Sequence, residues 1–140
     1  MLALLAAAAL ANPTFDAETI PKTRAAIAAV CSASPAITVK WDAFGDDADG
    51  ANAFVGSRLT FLSTAFGTVC RNPALKPEVG KLISRIVLSQ AYGAPDPMIY
   101  LLKGTLHVEY LWAQGEPAPD AAFVATEIAA RLRGEEMEAP

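Results

Sequence analysis

The sequence predicts an α+β fold, a two-layer sandwich in which a mixed sheet of about four strands carries helices packed on one face. Three observations lead there. Apolar residues recur at three-and-four spacing over 52–70 and 120–133, the period changes to two over 37–44 and again over 105–112, and strand and helix patterns alternate along the chain. A chain of 140 residues, 53% of them apolar, holds one core and has no room for a second. A domain of this size buries roughly two-thirds of the surface its unfolded chain exposes.

The first eleven residues, Met-Leu-Ala-Leu-Leu-Ala-Ala-Ala-Ala-Leu-Ala, carry no charged or polar side chain. They fall short of the about 20 apolar residues that cross a bilayer. Their length, and the small residues of Ala9-Leu10-Ala11, are those of a signal peptide cut before Asn12, with the amino group of Met1 standing in for the basic n-region. The competing reading is an Ala-rich helix packed on the domain. No later stretch approaches membrane length, so the mature chain is expected to be soluble. The expectation is a periplasmic or secreted bacterial protein: leader 1–11, one domain 12–134, and an acidic, solvated tail 135–140 with Glu135, Glu136 and Glu138.

Residues 12–18 read as a short extended lead-in. Thr19 is placed to cap a helix reaching about Ser32, with Pro21 in the first turn where its missing N–H does no harm. Ser34-Pro35 ends it. Over 37–44, Ile37, Val39, Trp41 and Ala43 face one way and Thr38, Lys40 and Asp42 the other, the pattern of a strand with one wet side. The loop from Gly45 to Gly50 holds Asp46, Asp47 and Asp49. A calcium loop would put Gly45 at its first ligand position and Gly56 at its bidentate glutamate, so the register fails and the acids read as a turn leading into a helix N-terminus.

Residues 52–70 form the central helix, with Val55, Leu59, Leu62, Phe66, Val69 and Cys70 on its buried side. Arg71-Asn72-Pro73 ends it. A short turn or helical piece follows over 76–80, then a half-buried strand over 82–90, although a helix over 77–89 satisfies the same apolar positions. Residues 92–97 are a loop. Residues 98–102 and 105–112 form a hairpin with a tight turn at Lys103-Gly104. After a Pro-rich connector, Asp120 caps a final helix that buries Val124, Ile128 and Leu132 and stops at Gly134. The two strands joined through the central helix are expected to be parallel, and the later ones to follow as an antiparallel meander.

Cys31 and Cys70 fall near the ends of successive helices. In an oxidising compartment they would close a loop of roughly 40 residues, a cross-link of about 4 kcal/mol in the loop-entropy account. Two cysteines and one histidine, none in Cys-x-x-Cys spacing, point to neither redox catalysis nor a zinc site, and no cofactor motif is present. With 11 Lys plus Arg scattered among 15 Asp plus Glu, the chain lacks the clustered cations that nucleic acid requires.

Candidate chemistry is sparse. His107, the only histidine, and Glu109 point the same way along a strand and form a conceivable general-base pair, with Asp42 or Lys40 contributing from the first strand. Ser57 lacks the Gly-x-Ser-x-Gly spacing of a serine nucleophile. Trp41, Tyr92 and Trp112 are the aromatic candidates for a ligand cavity. The leading expectation is a small exported non-enzymatic accessory or binding protein that meets a protein partner through the uncovered sheet face or the hairpin edge. A small metal-independent hydrolase on His107 and Glu109 is the first alternative. The second is a carbohydrate- or metabolite-binding module on the aromatics.

Overall fold

The computed structural model describes residues 11–93 and 96–137. The expected signal peptide therefore lies outside the described residues except for Ala11, as does the end of the acidic tail. The described elements are α1 (Ile20–Cys31), β1 (Ala36–Val39), α2 (Ala48–Ser57), α3 (Thr60–Cys70), α4 (Lys76–Leu82), β2 (Arg85–Gln90), β3 (Met98–Leu102), β4 (Thr105–Tyr110) and α5 (Ala121–Leu132). The fold is α+β, a four-stranded mixed sheet with helices packed on it, as the periodicities predict.

The lead-in is helical, not extended. Asn12 accepts the Phe15 N–H through its side chain at 2.8 Å, and the chain then passes through a π-helical turn, Phe15–Thr19, into α1. Thr19 makes no capping bond, because the cap belongs to Asn12 about two turns earlier. This continuation buries Phe15, which packs against Trp41 and Phe54 at centroid distances of 5.5 and 5.1 Å.

The first strand is shorter than its pattern. Its ladder stops when Lys40 N–H reaches the Leu88 carbonyl, and Trp41–Phe44 coils into a 3-10 turn. That turn rolls Trp41 and Phe44 onto Phe54 and joins them with Phe15 in one aromatic cluster.

The central helix is two helices. Arg58 and Leu59 both sit at positive φ, 54° and 57°, and the axis breaks between α2 and α3. Ser57 explains part of the break: its hydroxyl donates to the Phe54 carbonyl at 2.7 Å and accepts the Leu59 N–H at 3.2 Å, competing with the helical ladder. The break keeps the predicted stripe buried, since Leu59, Leu62 and Phe66 are fully enclosed. Each such side chain contributes about 1.5–3 kcal/mol of transfer free energy, so the three together outweigh the about 1–3 kcal/mol that each of the two strained residues costs. α3 packs between α1 and α5. Cys31 at the end of α1 and Cys70 at the end of α3 are joined, with Cα atoms 5.2 Å apart.

The ambiguous apolar run at 77–90 holds both structures. Helix α4 occupies Lys76–Leu82, Ile83 turns extended, and Arg85–Gln90 is strand β2. The sheet order is β1-β2-β4-β3, with β1 and β4 both parallel to β2 and β3 antiparallel to β4. The β1–β2 pairing is parallel as expected, but the later strands form no simple meander. The hairpin is inserted with its second arm inward. Two ties fix it there: the Gly104 carbonyl accepts Ser84 and Arg85 N–H groups at one end of β2, and Gln90 binds Trp112 at the other. The turn itself has Lys103 at φ 50° and Gly104 at φ 83°, the paired positive values of the tight hairpin turn that matches strand twist.

Candidate functional site

Period-two alternation divides the sheet into two chemically distinct faces. Ile37, Val39, Ile86, Leu88, Ile99, Leu106 and Val108 point into the helices and are buried. The opposite side chains form rows in register: Thr38, Val87, His107 and Tyr100 in one, Ala36, Arg85, Thr105 and Leu102 in the next, and Ser89, Glu109 and Met98 in a third. Most of this outer face is half-buried or exposed, and Leu102 is 57% exposed.

Its centre is an ordered group. Tyr100 and His107 are direct cross-strand partners, and their rings stack with centroids 4.6 Å apart and planes 10° from parallel. The Tyr100 hydroxyl donates to Glu109, which lies diagonally across the β3–β4 pair. Burial beside the stack, then the hydrogen bond and charge of Glu109, push the Tyr100 hydroxyl up to about 12. Tyr100 is thus a fixed donor at neutral pH, and the Glu109 carboxylate is already engaged. His107 and Glu109 share a face as the strand period requires, but the residue that joins them is Tyr100, which the sequence did not single out. Asp42 and Lys40 do not adjoin this group. β2 lies between β1 and β4, and Asp42 is in the 3-10 turn.

The aromatic candidates are dispersed among different environments. Trp112 is 4% exposed and packs on Phe54, Phe61 and Tyr110. Trp41 is half-buried in the aromatic cluster and donates its indole N–H to Asp16 at 3.2 Å. Tyr92 is 62% exposed on the loop after β2.

The acidic loop works as a helix cap. Asp47 accepts the Gly50 N–H at 2.9 Å, in keeping with the turn reading, and its other oxygen accepts from the Gln90 amide at 3.1 Å. Among the described residues no group of three or more His, Cys, Asp or Glu side chains is placed to hold a metal ion. Gln90 was invisible as a functional position in the sequence. Its buried amide also donates to the Trp112 carbonyl at 2.8 Å and accepts the Trp112 N–H at 2.6 Å, so one side chain joins loop, sheet and connector. Gly50 faces this group so closely that a Cβ there would lie 2.7 Å from Gln90 Nε2 and 2.8 Å from the Trp112 carbonyl.

No helix among the described residues is long and apolar enough to cross a membrane. Comparison with known proteins yields no relative from which a role can be transferred: no family model, no curated protein and no solved structure matches the chain.

Proposed function

We propose that this is a small exported, non-enzymatic binding module that meets a protein partner through the outer face of its sheet. The stacked Tyr100–His107 pair, with Tyr100 held by Glu109, carries the reading. Side chains already ordered lose little rotamer freedom on binding, and Tyr, Met and Arg, here Tyr100, Met98 and Arg85, are enriched at protein interfaces. The Cys31–Cys70 bond and the apolar leader support an oxidising destination. A hydrolase built on His107 and Glu109 draws less support because Tyr100 occupies the carboxylate, and an aromatic ligand cavity draws less because Trp112 is enclosed.

The test is affinity capture from an extract of the native organism with the mature, oxidised protein. A partner held by the wild type and by Arg71→Ala, on the helical side, is expected to be lost with Tyr100→Ala/His107→Ala. Identical capture by all three overturns the reading. Intact mass of the native protein, measured with and without reductant, tests leader removal and the disulfide.

A further inference from the structure

Edge strand β3 also borders a groove of about 410 Å³, closed on its far side by the C-terminal end of α5. Leu82, Leu101, Leu132 and Met137 give it apolar walls. Leu82 and Met137 are each 37% exposed, which is solvent-facing apolar area next to a strand edge that no strand among the described residues pairs.

The acidic residues that follow α5 are fixed at its rim. Gly134, at φ 83°, closes the helix with two reciprocal bonds, its own N–H to the Arg131 carbonyl and the Glu135 N–H to the Ala130 carbonyl, both 3.0 Å. This closure turns the chain back, so Glu135 and Glu136 line the groove instead of trailing into solvent. The negative end of the α5 dipole adds to their field. The cation here, Arg131, has a side chain only 8% exposed and is committed elsewhere, pairing with Glu127 at 3.5 Å and donating to the Ile99 carbonyl at 3.3 Å. Its Nε has no hydrogen-bond partner among the described residues. The exposed Arg133 faces a different groove, between α3 and α5.

We propose that this groove takes a short extended peptide of a partner protein, with an apolar side chain between Leu82, Leu101, Leu132 and Met137 and flanking Lys or Arg side chains on Glu135 and Glu136. The charge of the rim selects the partner: an acidic segment is repelled, and a basic one is drawn in. Alternation along an antiparallel edge turns the backbone of Ile99 and Leu101 outward. Arg131 takes the Ile99 carbonyl, which leaves the Leu101 backbone to pair with the peptide. The inference rests on the protein being a binding module, and the groove adjoins the outer sheet face, with Tyr100 in the lining of both.

Fluorescently labelled Lys-Leu-Lys-Leu-Lys amide, and the same peptide with Glu for Lys, test it against the mature oxidised protein. The lysine probe is expected to bind at least about tenfold tighter than the glutamate probe and to weaken as salt rises from low to physiological ionic strength. Glu135→Gln/Glu136→Gln removes the preference and Glu135→Lys/Glu136→Lys reverses it, both at exposed positions where folding is unaffected. Glu135→Gln/Glu136→Gln leaves partner capture at the sheet face unchanged, so absent probe binding with intact partner capture sinks this inference alone. Equal affinity for both probes, indifference to the glutamate variants, or probe-induced NMR shifts away from Leu101 and Met137 overturns it. Groove shifts that grow with protein concentration in the absence of probe assign the groove to a second copy of the chain and also overturn it.

Discussion

The side-chain amide of Gln90 grips the backbone of Trp112 from both sides, accepting its N–H at 2.6 Å and donating to its carbonyl at 2.8 Å. The amide imitates one further rung of the β2–β4 ladder where the strand has ended, and its remaining hydrogen reaches the Asp47 cap at 3.1 Å. Gln90→Leu keeps the volume and removes all three bonds, leaving buried backbone groups unpaired. Stability is expected to fall by about 3 kcal/mol, since each orphaned buried group costs about 1–3 kcal/mol. Urea unfolding measures it, and a loss below about 1 kcal/mol would mean that water replaces the amide.

Arg58 and Leu59 share the left-handed conformation but not the environment, so they separate strain from packing. Arg58 is exposed and Leu59 is fully enclosed. Arg58→Gly relieves strain and is expected to leave stability unchanged or raise it by up to about 1 kcal/mol. Leu59→Gly relieves the same strain yet opens a cavity, and a net loss of about 3 kcal/mol is expected. Thermal denaturation of the two variants decides the matter: a loss at Arg58 equal to that at Leu59 would refute the separation.

The Cys31–Cys70 cross-link spans a sequence separation of 39. In the loop-entropy account its removal by Cys31→Ala/Cys70→Ala lowers stability by roughly 4 kcal/mol, seen as a lower urea midpoint. Reductant is expected to have a similar effect on the wild type and none on the double variant.

The Tyr100 hydroxyl supplies a pH dependence of definite sign. Its folded value, about 12, exceeds the ordinary 10.0. The group therefore contributes stability that is fully present below pH 10 and is lost as pH rises through 12. NMR of labelled tyrosine is expected to show Tyr100 ionising last of the three tyrosines, and Glu109→Gln to move it down while burial keeps part of the shift. A Tyr100 that titrates at its ordinary value would refute the hydrogen bond to Glu109.

The layer architecture was legible because it depends on periodicity, and the inward residues of 37–39, 86–88 and 106–108 announce it directly. The disulfide and the Asp120 cap were legible because a short side chain at a helix end has few other uses, whereas Asp47 read only as part of a turn before a helix and its capping bond emerged from the structure. What escaped was decided by competition. The stripe from Val55 to Cys70 is periodic straight through Gly56-Ser57, and the break depends on a hydroxyl choosing backbone partners outside the ladder. Strand order escaped because local pattern makes Met98–Leu102 and Thr105–Tyr110 equivalent, whereas the ties at Gly104 and Gln90 distinguish them. The Tyr100–His107–Glu109 group was half legible: same-strand spacing gave His107 and Glu109, but Tyr100 required the cross-strand register.

The inward placement of β4 has a consequence for synthesis. Until residues 98–110 leave the ribosome, β2 is an interior strand without its second neighbour, an apolar ribbon of Ile86, Val87 and Leu88 with one unsatisfied side. A chain truncated after Gln90 leaves that side of β2 open to another strand, and pairing with β4 closes it.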